Sequence, residues 1–223
     1  MFEKQKIEPK PEKDESGVAI ITKKYIRDYC EYNEQYDTPH LNTKLVLPCK
    51  GWVKIQNLEE YFNIKALFLE NNMISKIENI DFMKQLRSLF LQHNMIKKME
   101  GLSNFVQLDT LDLTGNVITK IEGISNLENL TKLYISENAI EDLSGFDQVH
   151  FNAKLTSLDL SNNLINEYDP KIFEYLKKLK NMRAFYMKGN EFKLKCKNYR
   201  KTLIYIMEDL TYLDDMPVWY EEK

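Results

Sequence analysis

Apolar and polar residues follow one repeating pattern through most of the chain, shown most clearly between Leu108 and Ile124. Leucine occupies the first, fourth and sixth positions of this segment, asparagine the ninth, and isoleucine the eleventh, fourteenth and seventeenth. An internal period of about 20–50 residues is the signature of a solenoid or another repeat architecture. The ninth-position asparagine recurs at steps of 22 residues, and then of 25 and 27 residues, at Asn72, Asn94, Asn116, Asn138, Asn163 and Asn190.

The central leucines of each unit predict a short strand. Residues two apart share a face of a strand, so Leu111 and Leu113 point inward while Asp112 and Thr114 point outward. Stacked units then place their strands in parallel, about 4.7–4.9 Å apart, on the concave side of a curved solenoid. A 22-residue unit leaves room only for short 3₁₀ or irregular segments on the convex side. The pattern is that of a leucine-rich repeat, and the predicted fold class is an α/β leucine-rich-repeat solenoid.

Seven strands are predicted, each around the paired inward residues of one unit. A degenerate first unit contains Leu45 and Trp52 but lacks the asparagine. Asp169 and Pro170 make a good N-cap and first-turn pair for a helix through about Lys180, which accounts for the longest repeat. The predicted strands lie near 44–47, 66–69, 88–91, 110–113, 132–135, 157–160 and 184–187.

The same pattern divides the chain into four segments. Residues 1–19 are rich in Lys, Glu and Pro and predict a disordered or extended arm. Residues 20–42 predict an N-terminal helical cap, with Thr22 as the helix N-cap. Residues 43–197 form about seven repeats. Residues 198–223 predict a C-terminal cap, because the end of a solenoid would otherwise expose its core.

Composition narrows the classes of function. The chain has 223 residues, a net charge of −3 and 29% charged residues, which predicts no general affinity for nucleic acid or an anionic membrane. Its charged N-terminus lacks the apolar stretch of a secretory signal. Three cysteines, far apart and without CxxC spacing, favour a reducing compartment over a disulfide framework or a zinc site. No phosphate-binding or metalloprotease motif occurs, so we expect no cofactor, no metal and no catalysis.

Several motifs carry a resemblance to known families. The Lys-Ile-Glu-Asn/Gly that follows the asparagine, at 76–79 and 120–123, resembles the subfamily that includes a regulatory subunit of protein phosphatase 1. Residues 198–218 look like the C-terminal cap motif of that subfamily. Residues 38–45 and 50–61 resemble the start of the leucine-rich-repeat dynein axonemal assembly factors. Members of that family are often longer, with a tail beyond the cap.

The resemblance implies a non-catalytic protein-interaction scaffold. It would help to preassemble axonemal dynein arms in the cytoplasm and so serve the motile cilium and its axoneme. Its partners would be axonemal dynein chains, assembly factors or chaperones. One alternative is a structural axonemal subunit bound to dynein or microtubule complexes. Another is a phosphatase regulatory subunit, whose partner would be the catalytic subunit.

The outward residues at the middle of the predicted strands form the candidate binding surface. Phe68 and Phe90 are adjacent in this column, and exposed aromatic residues are typical of interface anchors. The alternative is that the two rings simply pack on each other. The ten predicted partner-binding residues are Lys65, Phe68, Arg87, Phe90, Gln92, His93, Asp112, Tyr134, Asp159 and Tyr186.

Asp112 and Asp159 admit a second interpretation. Two strand spacings separate them, about 9–10 Å, which is near the carboxylate separation of an inverting glycosidase. Tyr134 lies between them and no closing loop is evident in the sequence. A polar recognition surface is therefore the favoured interpretation.

Overall fold

The computed structural model describes residues 7–141, 143–145, 154–165 and 170–223. Nine strands of this region form one sheet. It begins with β11 (Met216–Pro217) and β10 (Tyr212–Leu213) and continues in the order β9-β8-β7-β6-β5-β4-β3, parallel throughout except for the antiparallel pair β10–β11. The seven repeat strands are β3 (Lys44–Val46), β4 (Ala66–Phe68), β5 (Ser88–Phe90), β6 (Thr110–Asp112), β7 (Lys132–Tyr134), β8 (Ser157–Asp159) and β9 (Ala184–Tyr186). The predicted solenoid fold is confirmed, and every predicted strand is present.

The strands pair in a register that follows the repeat. The inward residue of each strand lies opposite its equivalent in the next, from Leu45 and Leu67 through to Leu158 and Phe185. These side chains are fully buried, as are Leu69 and the isoleucines of the returning segments. One continuous hydrophobic core therefore runs the length of the solenoid.

The convex side is built mainly from single turns. In one unit the Met83 N–H donates to the Ile80 carbonyl, and the Leu86 N–H donates to the Met83 carbonyl. Both bonds span three residues, which is the 3₁₀ spacing. The longest repeat has room for a true helix, α2 (Pro170–Lys177). The helix ends three residues before the predicted Lys180, and its predicted N-cap, Asp169, lies outside the described residues.

The repeat asparagines bond neighbouring coils together. The Asn116 amide donates to the carbonyls of Leu91 at 3.0 Å and Leu113 at 2.9 Å, and its oxygen accepts the Ile96 N–H at 2.9 Å. Each bond satisfies a backbone group where strand pairing has stopped. Equivalent bonds link Asn72, Asn94, Asn138, Asn163 and Asn190 to the preceding coil.

Replacing Asn116 with Ala should lower the free energy of unfolding by about 1–3 kcal/mol, the usual cost of leaving buried polar groups unpaired. The substitution leaves the Ile96 N–H and the Leu91 carbonyl inside the solenoid without the hydrogen bonds that they form with Asn116. A urea titration followed by circular dichroism measures the change. Asn126→Ala is the control, because Asn126 is exposed and its amide donates one long hydrogen bond, at 3.5 Å, to the Ser103 carbonyl. Equal midpoints for the Asn116 variant and the wild-type chain would contradict the structural role of the asparagine.

A helix covers the first coil. Helix α1 (Lys23–Tyr32) begins after the predicted N-cap Thr22, whose hydroxyl oxygen accepts the Tyr25 N–H. Tyr25 and Tyr29 lie on its buried face, and the Tyr25 ring contacts Trp52 edge-on at 5.2 Å between centroids. Burying this face removes the open end of the core from water.

The described part of the N-terminal arm contains a small hairpin. Strands β1 (Glu12–Lys13) and β2 (Ala19–Ile20) pair in antiparallel fashion. The arm also contacts the first coil, because Glu8 forms an ion pair with Lys50, whose ammonium group lies 4.8 Å from the Tyr29 ring centroid. The four segment boundaries drawn from the sequence stay predictions.

The other end of the solenoid is closed by α3 (Glu191–Lys195), α4 (Tyr199–Ile206), β10 (Tyr212–Leu213) and β11 (Met216–Pro217). Asp214 takes the place of the repeat asparagine here. Its buried carboxylate accepts the backbone N–H groups of Met187 at 2.8 Å and Lys188 at 3.0 Å. The Lys193 ammonium group pairs with the second oxygen at 2.7 Å. None of the helices in the described regions is long and apolar enough to span a membrane.

Candidate protein-binding surface

The outward residues of the seven repeat strands form one column across the concave face. Their register is continuous, with Phe68 opposite Phe90, Phe90 opposite Asp112 and Asp112 opposite Tyr134. All of them are partly exposed. In strand order, this central column consists of Val46, Phe68, Phe90, Asp112, Tyr134, Asp159 and Tyr186.

Phe68 and Phe90 form a stacked pair. Their ring centroids are 4.5 Å apart and their planes differ by 17°. The Lys44 ammonium group lies 4.9 Å from the Phe68 centroid, so the outer face of that ring already carries a cation. Lys44 was not among the residues predicted from the sequence, although its position at the start of β3 places it on the same face. The stack leaves an aromatic surface exposed to solvent in the N-terminal half of the concave face.

The predicted polar neighbours of this stack lie at opposite ends of the strands. Lys65 and Arg87 precede β4 and β5, with exposed side chains. Gln92 and His93 follow β5 at the other end. His93 has a left-handed backbone, with φ of 57°, and its ring lies against Gly115 of the next coil, where an added Cβ would be 2.4 Å from Nδ1. The aromatic pair is therefore flanked by cations on one side and by polar groups on the other.

The C-terminal half of the column alternates acidic and aromatic residues. Burial raises the pKa of Asp112, and the nearby Asp159 carboxylate raises it further. The hydrogen bond from the Thr114 N–H and the nearby His93 lower this pKa, but burial has the larger effect. The Asp159 carboxylate accepts the Ser161 N–H at 2.8 Å. Burial also raises the pKa of Tyr186, whose ring lies 6.0 Å from that of Tyr212 between centroids. Tyr134 lies on the strand between the two aspartates, so the carboxylates do not share one site.

Charges on the concave face are segregated along its two sides. We call Lys65, Arg87, Lys132 and Arg183, at or just before the strand starts, the basic edge. Glu70 and Glu137, beyond the strand ends, form the acidic edge, while Asp112 and Asp159 lie in the central column between the two edges. Within the described part of the chain, none of these eight residues forms an ion pair.

Three buried polar atoms on the concave face have no hydrogen-bond partner among the described residues. They are Glu70 Oε2, Gln92 Oε1 and Ser161 Oγ. All three residues lie two positions beyond the central column, so strand alternation places them on its face. Two of these residues, Glu70 and Ser161, were not among the binding residues predicted from the sequence. The repeat pattern indicates which face they lie on, but it does not indicate whether their side chains find hydrogen-bond partners.

The described residues contain no group of three or more His, Cys, Asp or Glu side chains that could hold a metal ion.

Family models described as "Leucine Rich repeats (2 copies)" and "Leucine Rich Repeat" match residues 106–148 and 154–176. The chain contains leucine-rich repeats and has the leucine-rich-repeat fold.

Proteins similar in sequence to this chain include ones named as dynein axonemal assembly factors. It is 55% identical over 205 residues to the leucine-rich repeat-containing protein ODA7 of Chlamydomonas reinhardtii, covering 92% of this chain and 47% of that protein. It is 54% identical over 212 residues to dynein axonemal assembly factor 1 of Peromyscus polionotus, covering 95% of this chain and 34% of the relative. The resemblance to the dynein axonemal assembly factors that the sequence motifs indicated is confirmed. The chain spans less than half the length of each of these two relatives.

Solved structures of similar fold include two internalins from Listeria monocytogenes. The internalin InlF superposes with a TM-score of 0.65 at 21% identity, covering 78% of this chain and 47% of that chain. Internalin C2 superposes with a TM-score of 0.61 at 18% identity, covering 89% of this chain and 79% of that chain. At such low identity these matches support the leucine-rich-repeat fold alone.

Proposed function

We propose that the chain is a non-catalytic protein-interaction scaffold that acts in the assembly of axonemal dynein arms. The observation that carries the proposal is its identity of 54–55% to proteins named as dynein axonemal assembly factor 1 or ODA7, over nearly the whole chain. In this proposal it works in the cytoplasm, before the arms enter the cilium. Its partners are axonemal dynein chains, assembly factors or chaperones.

The concave face supports the scaffold part of the proposal. A partly exposed aromatic stack beside charges without ion-pair partners is typical of a protein interface, where aromatic residues and arginine supply most of the binding energy. The surface is an open sheet face, with side chains from seven coils available to one partner. The ten partner-binding residues predicted from the sequence belong to this proposal as its contact set.

Cell fractionation tests where the chain acts. We expect the tagged full-length chain to remain in the detergent-soluble cytoplasm of ciliated cells, and affinity purification to recover axonemal dynein chains or their assembly factors. Immunoblots of cytoplasm and detergent-extracted axonemes, with mass spectrometry of the purified material, measure both. Predominant recovery with axonemes would instead support a structural axonemal subunit. Recovery of a phosphatase catalytic subunit from non-ciliated cells would support the phosphatase-regulating alternative.

A further inference from the structure

We infer that the concave face binds one amphipathic helix of a protein partner, with its acidic flank toward the basic edge and its basic flank toward the acidic edge. The inference rests on the proposed function only in taking the concave face as the binding surface. It adds the conformation of the bound segment and the sign of charge on each of its sides.

The segregation of charge is the first support. The few residues of opposite sign on each edge are already neutralised or bonded. Asp109, on the basic edge, accepts bonds from the hydroxyl groups of Thr110 at 2.9 Å and Thr131 at 2.7 Å. Lys188, beside the acidic edge, forms an ion pair with Asp215 at 2.6 Å. What remains available is positive on one side of the column and negative on the other.

The width of the face favours a helix. Lys65 and Glu70 are five residues apart on one coil, which is about 16–17 Å in extended backbone at 3.3 Å per residue. A helix with its side chains is about 10–12 Å across and fits between such edges. It also presents three flanks at once, to the basic edge, the central column and the acidic edge. An extended segment cannot do this, because its side chains alternate between only two directions.

The length of the face sets the size of the helix. Seven strands give six spacings of about 4.7–4.9 Å, or roughly 29 Å in all. A helix that rises about 1.5 Å per residue covers this distance with about 19 residues. Its central stripe would contact Phe68, Phe90, Tyr134 and Tyr186 and should therefore be apolar there. Opposite Asp112 and Asp159, which interrupt the aromatic residues of the column, the stripe should carry polar or basic residues.

The unpartnered polar atoms are independent support for the basic flank. Glu70 Oε2, Gln92 Oε1 and Ser161 Oγ lie on the acidic side of the central column, and Ser161 is only 3% exposed. Buried acceptors without donors are unfavourable, so a ligand that supplies N–H groups there gains affinity. Lysine and arginine side chains on the basic flank supply such donors.

Carbodiimide coupling of the native complex tests the charge pattern. The reagent joins a carboxylate to an amine with no spacer, so it reports ion pairs directly. In the full-length chain purified with its partner from ciliated cells, we expect Lys65 or Lys132 to couple to Asp or Glu of one partner segment. Glu70 or Glu137 should couple to lysines of the same segment, within about 19 residues, the length that the face accommodates. Mass spectrometry of the digested complex identifies the pairs.

Charge reversal supplies a quantitative check. Lys65→Glu with Arg87→Glu, and separately Glu70→Lys with Glu137→Lys, should each weaken partner binding at least tenfold. Matched controls change the net charge equally at exposed positions away from the concave face: Lys97→Glu with Lys98→Glu, and Glu128→Lys with Glu174→Lys. These should bind as the wild-type chain does. Thermal melts of all variants separate loss of binding from loss of folding.

Several outcomes would overturn the inference. If the two edges couple to distant parts of the partner sequence, a single helix is excluded. Coupled partner residues that follow one another at a spacing of two would also exclude a helix, because a period of two is that of an extended segment. A recovered complex without couplings at either edge would place the contact elsewhere, while leaving the proposed function intact. If no dynein-arm component or assembly factor is recovered with the wild-type chain, the proposed function fails first.

Discussion

Removing residues 198–223 should give a product that aggregates or unfolds without a cooperative transition. The deleted segment contributes six buried apolar side chains, Tyr199, Leu203, Ile204, Met207, Leu210 and Leu213. Fully burying one such side chain is worth about 1.5–3 kcal/mol. Even half of the combined value is comparable to the whole stability of a typical domain, about 5–15 kcal/mol.

The truncation also removes the polar closure of the last coil. Without Asp214, the backbone N–H groups of Met187 and Lys188 lose their acceptor. The buried Phe185 and Phe192 also lose their neighbours Leu213 and Tyr199. Size-exclusion chromatography and a urea titration measure the outcome. Deleting only Tyr220–Lys223 is the control, because these residues lie outside the core, and the product should stay soluble and unfold cooperatively. A soluble, cooperatively unfolding product of the longer deletion would show that the segment is not a cap.

The strands and the asparagine series could be predicted because each unit repeats one local solution. A leucine at the strand centre and an asparagine after it determine which residues face the core and where the coil turns. Both the inward residues and the position of the turn follow from the local sequence, once the units are assumed to stack. For the same reason the central column could be assigned residue by residue, since a strand alternates its faces with a period of two.

The ends of the solenoid were harder to predict because they break the period. Asp214 fulfils the role of an asparagine, yet it lies in a segment with a different spacing, and its function depends on β10 pairing with β9. The hairpin β1–β2 consists of two-residue strands with no apolar alternation, so composition indicated only a disordered or extended arm. Contacts made by long side chains, such as Lys44 over Phe68, depend on rotamers that a pattern does not specify.

Replacing both Phe68 and Phe90 with Ser should weaken partner binding at least tenfold while leaving the fold intact. Truncating an interface anchor can cost about 2 kcal/mol or more, and about 1.4 kcal/mol is one decade in affinity. The rings lie outside the leucine core, so their loss removes mainly their mutual stacking and the contact with Lys44. Aromatic stacking contributes about 0.5–1.5 kcal/mol, which a stable solenoid tolerates.

The neighbouring inward positions provide the matched control. Leu67 and Leu69 are fully buried, and changing both to Ser should unfold the chain. Such core truncations cost about 2–5 kcal/mol each, and here they also bury hydroxyl groups. Pull-down of the dynein-arm component or assembly factor recovered with the wild-type chain measures binding, and circular dichroism measures folding. Full binding by the folded Phe68/Phe90 variant would show that the partner uses another surface, and the convex side and the N-terminal arm would be tested next.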